Sequence, residues 1–393
     1  MRFERLLIAS IIFIGCSSCQ GSNSVPVSST PPVISTTDPT ATPTPRPKLP
    51  QWFIDSLPKN IQTLEPYMDV RGFDLENYQK PVDRSLIETL WYDGATIWPS
   101  SVVSLANEVL DEGKNPGLGV RSLHAQGITG KGVSVAIIDQ PLGLNHPEYK
   151  GKILLYKYFD PTDKNPQSDL HGPAVASLLV GTNTGTAPDA KLYYAAVPSA
   201  SSDAQFLADG LNWIVDTNET LPKGERIRVV SVSSGPSGPG TPLTQNNNAW
   251  DAAYERATQA GILVLDCTKM HNIVDVCTLD LSDPENPSKC IPGWQGKEFS
   301  ANPNKIYVPY SHRSFAETYQ DGVYSYQYDG EGGLSWTLPF VTGVLAMGWQ
   351  VNPNLTKDQM VELLFDSAYK NPKGVKIINP VAFIAKIKET VDQ

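Results

Sequence analysis

Three residues of this chain have the side chains that acyl transfer requires, an acid, a base and a hydroxyl, each at the edge of an apolar run. Asp139 ends the run Val133-Ser134-Val135-Ala136-Ile137-Ile138, and His171 opens Gly172-Pro173-Ala174-Val175-Ala176-Ser177-Leu178-Leu179. Ser335 stands inside Gly332-Gly333-Leu334-Ser335-Trp336-Thr337-Leu338-Pro339, at the head of a long helix-like stretch. A serine hydroxyl is a poor nucleophile at neutral pH. It needs an imidazole to accept its proton, and the imidazole needs a carboxylate to fix its tautomer. Taken singly, each residue has an ordinary explanation as a strand-end cap, a helix-start histidine or an N-cap serine. The combination points to nucleophilic catalysis.

Such groups converge only if the chain brings strand ends and helix starts to one edge. After Gly117, short β-branched runs alternate with helical ones, the pattern of a parallel sheet covered by helices on both faces. Strands are expected at Val133 to Ile138, Lys152 to Phe159, Lys191 to Val197, Ile227 to Ser233, Ile262 to Leu265 and Lys305 to Pro309. Leu207, Leu211, Ile214 and Val215 share one helical face, and Ala249 to Ala260 forms a helix that Gly261 stops. Ser335 to Trp349 reads as a buried helix, and Thr356-Lys357-Asp358-Gln359 as a capping box followed by Met360, Leu363 and Leu364 on one face. Asp139 then lies at the carboxyl end of a strand and His171 and Ser335 at helix N-termini, so all three can share the crevice where open parallel sheets take ligands. Free N–H groups at the helix start would also stabilise an oxyanion. The glycines before Ser335 allow a tight turn, and Pro339 sits early enough in the helix for its missing N–H to cost little.

Chain order narrows the scaffold. Asp, His, Ser differs from the His, Asp, Ser of chymotrypsin-like enzymes and is the order of subtilisin. The Ser, acid, His order of α/β-hydrolases does not fit either, and their Gly-x-Ser-x-Gly elbow is absent, since position 337 is threonine. In Val135 to Asp139, His171 to Ser177 and Gly333 to Gly343, the chain resembles the subtilases, over about Gly130 to Ala368. The resemblance implies a subtilisin-like, doubly wound α/β fold, a mostly parallel sheet with helices on both faces. It also implies a serine endopeptidase acting on protein or peptide substrates. By the same resemblance Asp139 orients, His171 is base and then acid, and Ser335 attacks the scissile carbonyl. Val230 to Gly235, ending in Ser233, Ser234 and Gly235, is similar to the family's strand that pairs with an extended substrate.

Departures from the pattern mark where this chain is its own. Gln140-Pro141 follows Asp139 where Ser or Thr and then Gly are usual, and Leu334 and Thr337 replace the common Thr and Ala. The family's oxyanion asparagine has no counterpart in register: counting from Gly261 lands on Met270. Asn272 can serve if the loop is rearranged, and is otherwise a surface asparagine. Many subtilases bind calcium, but no compact carboxylate cluster marks a site here. No cofactor or metal is expected, with calcium left open.

Composition bounds the rest. In 393 residues, 41 acidic side chains against 31 basic ones give a net charge of −10, which argues against nucleic acid as a partner. Arg2, Arg5 and the apolar Leu6 to Ile14 form an export signal, and Phe13-Ile14-Gly15-Cys16 resembles a bacterial lipobox with Cys16 as the lipidated residue. Residues 1–19 are therefore read as signal and lipobox, and 20–50, rich in Ser, Thr and Pro, as a disordered tether. The expected location is the extracellular side of a bacterial membrane, lipid-anchored, or secreted if the signal is an ordinary cleaved one. Residues 51–115, with amphipathic pieces around Ile87 to Trp91 and Val102 to Ala106, are a pro-region or a packing extension, and 116–393 the peptidase domain. Cys277 and Cys290 are the expected disulfide of an exported protein. Thr268 to about Asn304, with four prolines, reads as a surface insertion.

Overall fold

The alternation of apolar and helical runs becomes, in a computed structural model, a parallel sheet clad with helices. The structure describes residues 49–391 other than 58–60, 164–165, 200, 296, 298–301 and 321. The expected export signal, Cys16 and nearly all of the expected tether lie outside the described residues. The described residues open with α1 (Gln51–Ser56), α2 (Arg84–Ile87), β1 (Trp91–Asp93), α3 (Val103–Glu112) and α4 (Val120–Ala125). Next come β2 (Ser134–Asp139), β3 (Ile153–Tyr158), α5 (His171–Val180), β4 (Lys191–Ala196), α6 (Gln205–Thr220), β5 (Ile227–Val232), α7 (Asn247–Gln259) and β6 (Leu263–Leu265). Then follow β7 (Val274–Thr278), β8 (Ile291–Pro292), β9 (Ile306–Pro309), β10 (Arg313–Gln320), β11 (Val323–Asp329) and α8 (Leu334–Val351). The last elements are α9 (Lys357–Asp366), β12 (Tyr369–Lys370), β13 (Lys376–Ile377) and α10 (Pro380–Lys388).

The central sheet has five strands in the order β3-β4-β2-β5-β6, and all its neighbours run parallel. Every residue of β2 is buried. Its side chains alternate between two cores: Val135 and Ile137 join α5 and α8 on one face, while Ala136 and Ile138 join α6 and α7 on the other. Strands lie on both sides of β2, so Asp139 at its carboxyl end opens onto the crevice where connections diverge. Helices α5 and α8 are buried almost from end to end, which explains their lack of a polar face. The Thr356–Gln359 capping box forms as expected, and Gly261 stops the chain after α7 at φ +79°.

Two sequence expectations need correction. Thr268 to Asn304 is not a surface insertion: it carries β7, in which Val274, Val276 and Cys277 are buried. Strand β7 pairs in parallel with β9 in a second five-stranded sheet, β12-β13-β9-β7-β8. Ile306 to Pro309 therefore belongs to this second sheet and does not extend the central one. Its strands are two to five residues long, too short for an alternation to show against the prolines. A disulfide joins Cys277 to Cys290 with Cα atoms 5.5 Å apart, inside a small core with Tyr307, Val375 and Ile377.

The segment from 51 to 115 is built into a third sheet, β1-β11-β10, in which Trp91, Tyr92 and Asp93 lie opposite Asp329, Tyr328 and Gln327. Tyr328 is fully buried among Ile87, Leu90, Tyr92, Val102 and Val109. Arg71 is buried as well: it pairs with Asp69 at 2.7 Å, lies 3.6 Å from the Trp91 ring and donates to Gln327 Oε1 at 3.3 Å. Exposing Tyr328 alone would forfeit about 2–3 kcal/mol. For a domain of this size that lowers Tm by roughly 3–4 °C. A chain beginning at residue 116 is therefore expected to melt at least that much lower than the full chain by calorimetry; equal melting temperatures would show that the segment contributes nothing to stability.

Candidate active site

Asp139 is 4% exposed at the end of β2, and its Oδ1 lies 2.7 Å from His171 Nδ1. The same oxygen accepts from the Gln140 N–H at 2.8 Å. Gln140, one of the departures from the family pattern, returns its side chain to this corner: Oε1 accepts from the His171 backbone N–H at 3.2 Å. Helix α5 starts on His171 because the residue after it is glycine. A Cβ on Gly172 would stand 2.3 Å from the Gln140 carbonyl and 2.8 Å from the Tyr194 hydroxyl, which itself donates to that carbonyl at 2.6 Å.

Ser335 is the second residue of α8 and is partly exposed. The turn before it depends on Gly332, at φ +77°, where a Cβ would fall 1.9 Å from the Tyr310 carbonyl. Trp336 stacks on the His171 ring with centroids 5.1 Å apart and is backed by Phe315 at 4.8 Å. The head of α8 is thereby set against the imidazole. Pro339 lies in the second turn of α8 and cannot donate to the carbonyl four residues earlier, that of Ser335. Ser233 Oγ donates to that carbonyl instead, at 3.0 Å. The expected substrate segment is thus tied to the expected nucleophile.

The other predicted site residues are placed as follows. The Ser234 carbonyl accepts from the Cys267 N–H at 2.7 Å, and the Ser234 and Ser233 side chains are buried. Asn272 is not a surface asparagine: it is 8% exposed, with Oδ1 accepting from the Val274 N–H at 2.8 Å, and its Nδ2 is buried with no hydrogen-bond partner among the described residues. Met270 is 62% exposed. The loop between them is rerouted by a cluster invisible in the sequence. His271 Nδ1 lies 3.0 Å from the buried Asp266, Trp250 Nε1 donates to the same carboxylate at 3.1 Å, and the Tyr254 ring stacks on His271 at 3.9 Å. Sequence reasoning also missed Gln140, Trp336 and Asp329. The last is a buried carboxylate in Asp329-Gly330-Glu331-Gly332-Gly333 whose pKa burial pushes up to about 6, against the pull of donors from Gly332 and Trp336. An acid set among glycines was the available signal. Among the described residues no group of three or more His, Cys, Asp or Glu is placed to hold a metal ion.

Residues 130–268 match the Subtilase family of peptidases. The chain is similar to subtilases. The matched stretch includes Asp139, His171 and the 233–235 segment and ends before Ser335. The chain is 26% identical over 287 residues to the subtilisin-like protease PopC of Myxococcus xanthus, covering 65% of this chain and 59% of that protein. It is 25% identical over 262 residues to subtilisin E of Bacillus subtilis, covering 63% of each. Against the serine protease AprX of Bacillus subtilis the figures are 27% over 282 residues, 61% of this chain and 62% of the relative. The chain thus spans about three fifths of the length of these curated relatives. Among solved structures, the prenylagaramide maturation protease PagA superposes with a TM-score of 0.50 at 19% identity, over 68% of this chain and 98% of that one. That likeness establishes the subtilisin-like α/β fold.

The Ser233 contact can be tested by a rescue. Ser233→Ala leaves the Ser335 carbonyl without its donor and is expected to cost about 1–3 kcal/mol in chemical denaturation. Adding Pro339→Ala restores a helical N–H at the right place and should recover most of the loss; a double variant no more stable than Ser233→Ala would disprove the assignment.

Proposed function

We propose that this chain is an exported serine endopeptidase that hydrolyses peptide bonds in extended segments through an acyl-enzyme. The reading rests chiefly on one observation: a buried carboxylate holds His171 at 2.7 Å while the residue after Ser335 stacks on the same imidazole. The serine protease relatives support it. In this mechanism Asp139 accepts a hydrogen bond from the His171 Nδ1–H, which keeps the Nδ1 proton in place and leaves the Nε2 lone pair free to take the proton of the hydroxyl. Ser335 Oγ attacks the scissile carbonyl carbon as His171 takes its proton. The C–N bond then breaks, and His171 returns the proton to the leaving amine. A water molecule, deprotonated by His171, hydrolyses the ester and regenerates Ser335.

The oxyanion would be met by N–H groups at the head of α8 and, in this proposal, by Asn272 Nδ2. A buried donor without a partner gains most from a carbonyl oxygen that becomes charged. The substrate would lie along 233–235 and meet that segment through its backbone, since the Ser233 and Ser234 side chains are buried. A second reading is a catalytically weak or inactive surface binding protein. It draws support from the exposed Met270 in the register of the family's oxyanion asparagine. Losing one such donor typically lowers turnover by about 10²–10³. A fluorophosphonate probe separates the readings: wild type is expected to label and Ser335→Ala to lose both labelling and peptide cleavage, whereas a wild-type protein that does not react favours the binding module.

The proposed location is the outer side of the bacterial membrane, anchored through lipidated Cys16 with residues 20–50 as the tether, secretion being the alternative. The positive residues Arg2 and Arg5, the short apolar run and the cysteine after Gly15 support it. Feeding cells an alkyne fatty acid should label the wild type and not Cys16→Ala; an unlabelled wild-type protein released to the medium would establish secretion.

A further inference from the structure

Asp329 closes β11 just before the glycine turn, and each of its oxygens has a separate task. Oδ1 accepts from the Gly332 backbone N–H at 2.8 Å, and Oδ2 accepts from Trp336 Nε1 at 3.1 Å. One carboxylate therefore bridges the turn that leads into α8 and reaches past Ser335 to the residue beyond it. The indole it holds is the one stacked on His171, with Phe315 behind. We propose that Asp329 is a positioning residue of this site, holding Trp336 against the His171 imidazole and thereby setting where Ser335, which lies between its two hydrogen bonds, meets its base. The inference rests on the peptidase reading of the Asp139, His171 and Ser335 cluster.

Energetics favour a role beyond packing. Asp329 is 4% exposed, and a buried carboxylate is costly unless its oxygens are occupied. An apolar residue would fill the space without that cost. The donors here are the two groups whose placement the site depends on, the N–H of a glycine at φ +77° and an indole in contact with the base. The strand carrying the carboxylate is itself pinned. Asp329 lies opposite Trp91 in the β1–β11 ladder, the Gly330 N–H donates to the Leu90 carbonyl at 3.0 Å, and the Tyr328 hydroxyl donates to the Glu88 carbonyl at 2.9 Å. Residues 51–115 thus reach the nucleophile through one side chain. A carboxylate fixed at its backbone and at both oxygens leaves Trp336 little freedom to turn, and a displacement of about 1 Å at such a site can cost roughly 100-fold in rate.

Two variants of the full-length chain remove the bond with little change of shape. In Asp329→Asn the amide can accept from one donor only and presents an NH₂ to the other. Trp336→Phe keeps a ring on His171 and removes the indole N–H. Each is expected to slow fluorophosphonate labelling of Ser335 by about 10–100-fold and to lower kcat on a peptide with KM changed less than about twofold. The double variant should be slowed by much less than the product of the two single effects, because both changes act on the Asp329–Trp336 pair. Wild-type labelling rates in both single variants, with native near-UV circular dichroism, would overturn the proposal. Should the wild type neither label nor cleave, the peptidase reading fails on its own. Positioning is then read from the His171 C2 proton, which the Trp336 ring current shifts: it must move in Asp329→Asn, and an unmoved resonance rules the role out. If Asp329→Asn does not fold, Asp329→Glu, which carries the carboxylate one methylene further, is held to the same outcomes.

Discussion

A carboxylate buried at the end of a central strand must have its charge met, and here the partner is the imidazole at the first residue of α5, 2.7 Å away. Much of the local structure is what this contact requires. The helix must start within hydrogen-bond reach of the strand end, so its second residue passes so close to the Gln140 carbonyl that only glycine fits. Gln140 closes the corner from the other side by capping the His171 N–H. Since α5 is buried along its length, it cannot slide to relieve strain at its start, and the contact inherits the rigidity of the core.

The serine side of the site is held by a different means. Helix α8 is wedged between the central sheet and the second sheet, and the Gly332 turn fixes how the chain enters it. Pro339 removes one helical hydrogen bond, and Ser233 takes the vacant carbonyl, so a local defect in the helix becomes a tie between the end of β5 and the head of α8. Trp336 and Asp329 then join this head to His171 on one side and to the β1–β11–β10 sheet on the other. Residues far apart in the chain, from Trp91 to Trp336, thus form one mechanical unit.

Much of the fold was legible because its signals are periodic and local. The strands of the central sheet, the α6 face of Leu207, Leu211, Ile214 and Val215, the stop at Gly261 and the capping box at Thr356 all follow from spacing within a few residues. Thr268 to Asn304 was misread because β7 is a five-residue strand whose burial comes from β9, β8 and α8, none of which its own sequence announces. Of the two alternatives open for Asn272, the surface one fails for the same reason, since the loop is turned inward by Asp266 and His271 gripping each other across Trp250 and Tyr254. Met270, in the expected register, is consequently left in solvent.

By itself the sequence determined that an acid ends a strand, that a histidine and a serine each begin a helix, and that the sheet between them is parallel. Those are consequences of side-chain period and of the conformations open to glycine and proline. Only the tertiary structure decided that Trp336 would cover His171, that Asp329 would hold Trp336, and that residues 51–115 would pair with the strand leading to both. Contacts across hundreds of residues leave no periodic trace in the chain. They exist because buried polar groups must find partners wherever folding happens to bring a donor within reach.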